Sequence, residues 1–160
     1  WQKDGKESFT IEVLEKLKAE DKEYHLRQVA IVDAQGNATA FTGDETVPWA
    51  GHIIGDQFAV AGNMLVGEDT IKAMAETYET NEGMYLPERL LAALIAGQQA
   101  GGDKCGKQSA ALYVVDREEY AICDIRVDEH PDPTKELERI YRVCETDLFP
   151  YLQTAPKRYE

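Results

Sequence analysis

Two runs of strand-forming residues, Ser109–Val115 (SAALYVV) and Tyr120–Val127 (YAICDIRV), are separated only by Asp116-Arg117-Glu118-Glu119. So short a polar turn cannot carry a parallel crossover, so the two strands must pair antiparallel. An earlier pair has the same character. Leu26–Asp33 (LRQVAIVD) ends in a turn at Gln35-Gly36-Asn37, and Ala38–Thr42 pairs back as a hairpin arm. Between the pairs, Gln57–Leu65 (QFAVAGNML) begins as a strand and breaks at Gly62-Asn63, after a loop running from Thr42 through Trp49 to His52. The runs VAIV and ALYVV are apolar on both faces, which predicts sheets covered on both sides.

Helical periodicity fills the intervals. Ser8 or Thr10 caps a predicted helix to about Ala19, with Ile11, Leu14 and Leu17 on one stripe. Ile71, Met74, Ala75 and Tyr78 form the stripe of a second helix. Pro87 opens a third, with Leu90, Leu91, Leu94 and Ile95 inside and a stop near Gly97–Gly101. Asp132 caps a fourth behind Pro133, burying Leu137, Ile140, Tyr141 and Cys144. The tail from about residue 148 lacks periodicity after Pro150 and is expected to wrap the surface. The order helix, two or three strands, two helices, two strands, helix predicts an α+β layered fold rather than a doubly wound parallel sheet. No linker divides the chain, so residues 1–160 read as one domain.

The segment Trp1-Gln2-Lys3-Asp4-Gly5 reads like the last turn of a helix stopping at Gly5, and the chain is expected to be the C-terminal part of a longer one. The formal net charge of −13, without any basic stripe, argues against nucleic acid and anionic membrane surfaces as partners. No apolar run approaches the ~20 residues of a membrane span. Cys105, Cys123 and Cys144 make neither a disulfide framework nor a CxxC zinc site, and reduced thiols predict a cytoplasmic protein. His25, His52 and His130 are too scattered to suggest a metal cluster, and nothing calls for a cofactor.

Polar residues clustered at element ends are the candidates for chemistry. Gly62-Asn63 can offer backbone and side-chain amides, or can simply turn a strand toward a helix. The loop Gly101–Ser109 (GGDKCGKQS) can present N–H groups with Asp103, Gln108 and Ser109 to a ligand, although it lacks the Gly-Lys-Ser/Thr ending of a Walker loop. Strand alternation puts Asp124, Arg126 and Asp128 on one face, opposite Ile125 and Val127. Asp128 stands two residues before His130, where it either orients the imidazole or only shapes the turn into the last helix. Trp49 and His52 either line a pocket or, for Trp49, plug a satellite core.

Six co-linear motifs, RQVAIVDAQG, FTG, WAGH, GNML, GGDKCGKQSAAL and DIRVDEHPDP, together resemble the bacterial and archaeal family known as domain of unknown function 1028. This family is grouped with the Ntn-hydrolase-like proteins, and the resemblance spans roughly Ser8–Val143. Where members usually carry an Arg-rich GGDxRGxQ loop, this chain has Lys104-Cys105-Gly106-Lys107, which keeps charge but loses the bidentate fork of arginine. The resemblance implies a four-layer αββα sandwich lacking its N-terminal strands. It also implies an N-terminal nucleophile whose own α-amine acts as base, a role Trp1 cannot fill.

On that resemblance Asn63 and the Gly62 backbone become candidates for an oxyanion hole. Asp103, Gln108 and Ser109 would orient substrate, and Arg126, Asp128 and His130 would form a charged wall. The expected function is Ntn-type hydrolysis of small amide or peptide-like substrates by the full-length protein. The alternative is a non-catalytic small-ligand-binding or assembly domain. A third reading has Phe149, Tyr151 and Leu152 docking on a partner subunit in a homo-oligomer.

Overall fold

The computed structural model describes residues 9–155. Its elements run α1 (Phe9–Glu20), a short 3-10 turn (Tyr24–Leu26), β1 (Gln28–Val32), β2 (Ala38–Thr42), β3 (Gly51–Gly55) and β4 (Phe58–Gly62). They continue with α2 (Asp69–Thr80), α3 (Leu86–Gln99), β5 (Ala110–Val115), β6 (Ala121–Val127), α4 (Pro133–Asp147) and α5 (Phe149–Thr154). The helix stop at Gly5 and the cap at Ser8 lie outside the described residues. No described helix is long and apolar enough to cross a membrane.

All three hairpins are antiparallel, and each forms its own two-stranded sheet. Asp33 closes the first turn, accepting N–H bonds from Gln35 and Asn37 at 2.9 Å each. The second hairpin was not expected as such: Gly51–Gly55 (GHIIG) is a strand rather than the end of a loop, because Ile53 and Ile54 pair with Val60 and Ala59. Two glycines at its ends dilute the strand signal in the sequence.

The first hairpin packs against α1 and against the second hairpin, which in turn contacts α2. A small core of Phe58, Val60, Ile71 and Ala75 lies between β4 and α2, with Trp49, Leu65, Met74 and Tyr78 at its margin. The larger core is built by β5–β6, α3, α4 and α5: Leu91, Leu112, Val114, Cys123, Ile125, Val127, Leu137, Tyr141 and Phe149. The Tyr141 and Phe149 rings meet edge-on at 5.5 Å between centroids, an arrangement that favours their quadrupoles. Phe149 is therefore spent inside the chain, whereas Tyr151 is 70% exposed.

Three expectations change. The stripe of α1 buries Thr10 and Leu14, while Ile11 and Leu17 stay about half exposed. The runs VAIV and ALYVV are not covered on both sides among the described residues. Ala30 and Val32 are exposed, and β5 alternates, with Leu112 and Val114 buried but Ala111, Tyr113 and Val115 exposed. Strand alternation accounts for this pattern, since successive side chains point to opposite faces and only one face is covered. Finally, the tail forms α5 rather than an aperiodic wrap, because Phe149 and Leu152 pack on the core beside α4.

Candidate functional site

The strand registers bring four strand ends to one place. Gln28 opens β1 opposite Thr42, which closes β2, and Gly51 opens β3 opposite Gly62, which closes β4. Neither glycine has a side chain to cover its carbonyl. A Cβ on Gly51 would lie 2.4 Å from the Trp49 ring, and one on Gly62 would lie 2.6 Å from Leu65.

Gln28 uses that opening. Its Nε2 donates to Thr42 Oγ1 at 2.9 Å, to the Gly62 carbonyl at 2.9 Å and to the Gly51 carbonyl at 3.1 Å. Its Oε1 accepts from Asn63 Nδ2 at 3.0 Å. Two carbonyl oxygens can only accept, so the amide orientation of Gln28 follows from chemistry. Thr42 Oγ1 then lies 2.8 Å from His52 Nδ1. The result is a polar chain, Asn63–Gln28–Thr42–His52, that ties both hairpins together. Sequence reasoning singled out Asn63, His52 and Gly62 but missed Gln28 and Thr42, which look like ordinary ends of apolar strands.

Three loops are laced beside this chain. Met64 N–H donates to the Val47 carbonyl at 2.9 Å and Leu65 N–H to that of Trp49 at 3.0 Å. Lys104 N–H donates to the Met64 carbonyl at 2.8 Å, Val66 N–H to that of Gly102 at 3.0 Å, and Lys104 Nζ reaches the Pro48 carbonyl. Trp49 sits partly buried against the small core, as a plug would.

Beyond that seam, Gly102 and Gly106 adopt φ of +63° and +104°, which bends the glycine loop around a polar cleft of about 390 Å³. Asp103, Cys105, Lys107, Gln108 and Ser109 line it together with Gln98 of α3. Asp103 is partly committed to the loop itself, since its Oδ1 accepts the Cys105 N–H at 2.6 Å. An adjoining cleft of about 420 Å³ shares Gln98 and Lys107 and extends toward Thr134, Lys135 and Glu138.

The third cluster is less united. Asp124 and Arg126 are both exposed and bond to each other at 2.9 Å. Asp128 is exposed beyond the end of β6, and no described hydrogen bond joins it to His130. The His130 imidazole is instead held by its own turn: Nδ1 accepts the Asp132 N–H at 3.0 Å, and its backbone N–H donates to the Gln108 carbonyl at 2.9 Å. His130 thus fastens the glycine loop to the start of α4. Asp132 occupies the N-cap position, yet its carboxylate turns to Lys107 Nζ at 2.8 Å. The Lys107 ammonium holds the Asp132 carboxyl below the usual range. No group of three metal-ligating side chains occurs among the described residues.

Residues 5–137 match the model of a family described as "Family of unknown function (DUF1028)". The chain belongs to the DUF1028 family. A similar solved structure is that of protein SPO2555 from Silicibacter pomeroyi, also described as DUF1028, at 31% identity and a TM-score of 0.81. That likeness covers 94% of this chain and 65% of the Silicibacter chain, so this chain spans about two thirds of its DUF1028 neighbour. No curated protein matches.

Proposed function

We propose that this DUF1028 chain supplies the substrate-holding and oxyanion-stabilising part of an Ntn-type hydrolase acting on C–N bonds of small amide or peptide-like molecules. The observation that carries the reading is the exposed Asn63 amide at the end of β4. Gln28 fixes one of its N–H groups at 3.0 Å, which leaves a second, already oriented donor for developing negative charge. Helix α1 on the first hairpin, that hairpin against the second, and the second against α2 are consistent with a four-layer αββα sandwich. In this reading the nucleophile is an N-terminal Thr or Ser of a longer protein, with its α-amine as base. The cleft of the glycine loop, with Asp103, Gln108 and Ser109, would hold the polar part of the substrate. Unpaired Cys105, Cys123 and Cys144 are consistent with a cytoplasmic setting.

The test is an amide-library screen on the full-length protein. Replacing the N-terminal Thr or Ser with Ala is expected to abolish turnover, and Asn63→Ala to lower kcat by about 10²-fold with KM little changed. Undiminished hydrolysis in both variants would overturn the reading. The second reading, a non-catalytic small-ligand-binding or assembly domain, is favoured by the cleft itself, where neither Ser109 nor Cys105 has a hydrogen-bonded base among the described residues. Ligand-dependent thermal stabilisation without any turnover would select it.

A further inference from the structure

We propose that Thr42 and His52 form a hydroxyl–imidazole pair that takes an acyl group from activated esters, independently of any N-terminal nucleophile. Gln28 Nε2 is an amide nitrogen that can only donate, so it gives a hydrogen bond to Thr42 Oγ1 at 2.9 Å and shares its two hydrogens with the glycine carbonyls as well. Thr42 Oγ1 therefore receives one hydrogen bond, and its own proton lies available to the atom 2.8 Å away, His52 Nδ1. With neutral imidazole in its Nε2–H form, Nδ1 is a base in contact with the hydroxyl it would deprotonate. Nucleophile, base and an orienting third group within hydrogen-bond reach is the arrangement that activates a hydroxyl.

The pair is also placed for access. Thr42 and His52 are both half-buried, so the hydroxyl is neither sealed in the core nor freely rotating in solvent. Each stands at the end of a different hairpin, and Gln28 spans the two, so the alignment is fixed by strand register rather than by a loop. The Thr42 hydroxyl meets an imidazole nitrogen, whereas those of Thr46, Thr80, Thr146 and Thr154 all donate to backbone carbonyls.

In the step itself, Thr42 Oγ1 adds to the carbonyl carbon as its proton passes to His52 Nδ1. The tetrahedral intermediate then collapses with loss of the alkoxide, which takes up the proton held by the imidazolium, or of the phenolate, which leaves as the anion while the imidazolium passes that proton to water. An ester on Thr42 and a neutral imidazole remain.

The experiment treats the 160-residue chain with p-nitrophenyl acetate and maps the acetyl groups by peptide mass spectrometry. Position 42 is expected to be acetylated ahead of every other hydroxyl, to lose the label in Thr42→Val and to keep it in Thr42→Ser. The decisive variant is His52→Gln, which retains an acceptor for the Thr42 hydroxyl but no base. Its labelling rate at position 42 is expected to fall by about 10²-fold or more, a general-base effect that a merely structural partner would not show. Urea unfolding curves establish that each variant is folded under the labelling conditions. Acetylation confined to lysines, Cys105 or the N-terminus, or labelling at position 42 that His52→Gln leaves unaltered, would overturn the proposal. Because it reads the position modified, the outcome is separate from that of the N-terminal mechanism above.

Discussion

Gln28 is the residue on which the candidate site depends most. Its single side chain answers two main-chain carbonyls, one hydroxyl and one amide across two hairpins. Removing it leaves the two carbonyls half-buried and unanswered, and such groups cost more than the net value of the bonds lost. Gln28→Ala is therefore expected to destabilise the fold by about 1–3 kcal/mol in urea titrations. Gln28→Glu is the sharper variant, since it keeps the shape but sets an acceptor oxygen against three acceptors. It is expected to be less stable than Gln28→Ala at neutral pH and to recover as acid protonates the new carboxyl. Equal stability of wild type and Gln28→Ala would show that the hub contributes no net stability.

At the scale of elements, the glycine loop and α4 are joined by two contacts that differ in kind. The His130 turn is made with the backbone, whereas the link from Lys107 to Asp132 is an ion pair at 2.8 Å between partly exposed side chains. Such a pair contributes little to global stability. Its measurable trace is the Asp132 carboxyl, held below its ordinary value by the Lys107 hydrogen bond. A depressed carboxyl stabilises the folded form above its unfolded pKa, and that contribution disappears as pH falls through the folded value. In Lys107→Met the Asp132 resonance, followed by NMR against pH, is expected to titrate at higher pH than in wild type. No movement would mean that the pair is absent in solution.

For the whole molecule, the larger core carries the response to alkali. Burial pushes the Cys123 thiol up to about 11 and the Tyr141 phenol up to about 12. Both groups keep their protons in the folded state at pH values where the unfolded chain releases them. The folded state then binds more protons than the unfolded one, so stability falls as pH rises from the ordinary thiol value of 9.0 toward 12. Tyr141→Phe removes the upper part of that slope. Urea midpoints measured across this range are expected to decline less steeply in the variant above the ordinary phenol value of 10.0. Parallel slopes would show that the negative charge of −13, rather than the buried phenol, governs the alkaline limb.

The sequence alone determined the local pieces. Short polar turns dictated the first and last hairpins, and Pro87 and Pro133 marked where two helices begin, because those signals act over a few residues. The six motifs also placed the chain in its family, and Gly62, Asn63 and His52 were already legible as polar points at strand ends. Tertiary structure decided the rest. Gln28 meets Thr42 across 14 residues and Asn63 across 35, and neither partner carries a local signal of the other. Only strand register, with two facing glycines that leave their carbonyls open, brings these side chains together. Packing also left Tyr113 and Val115 exposed in a run whose composition predicted burial on both faces, since composition records what a strand can bury and only packing selects which face is covered.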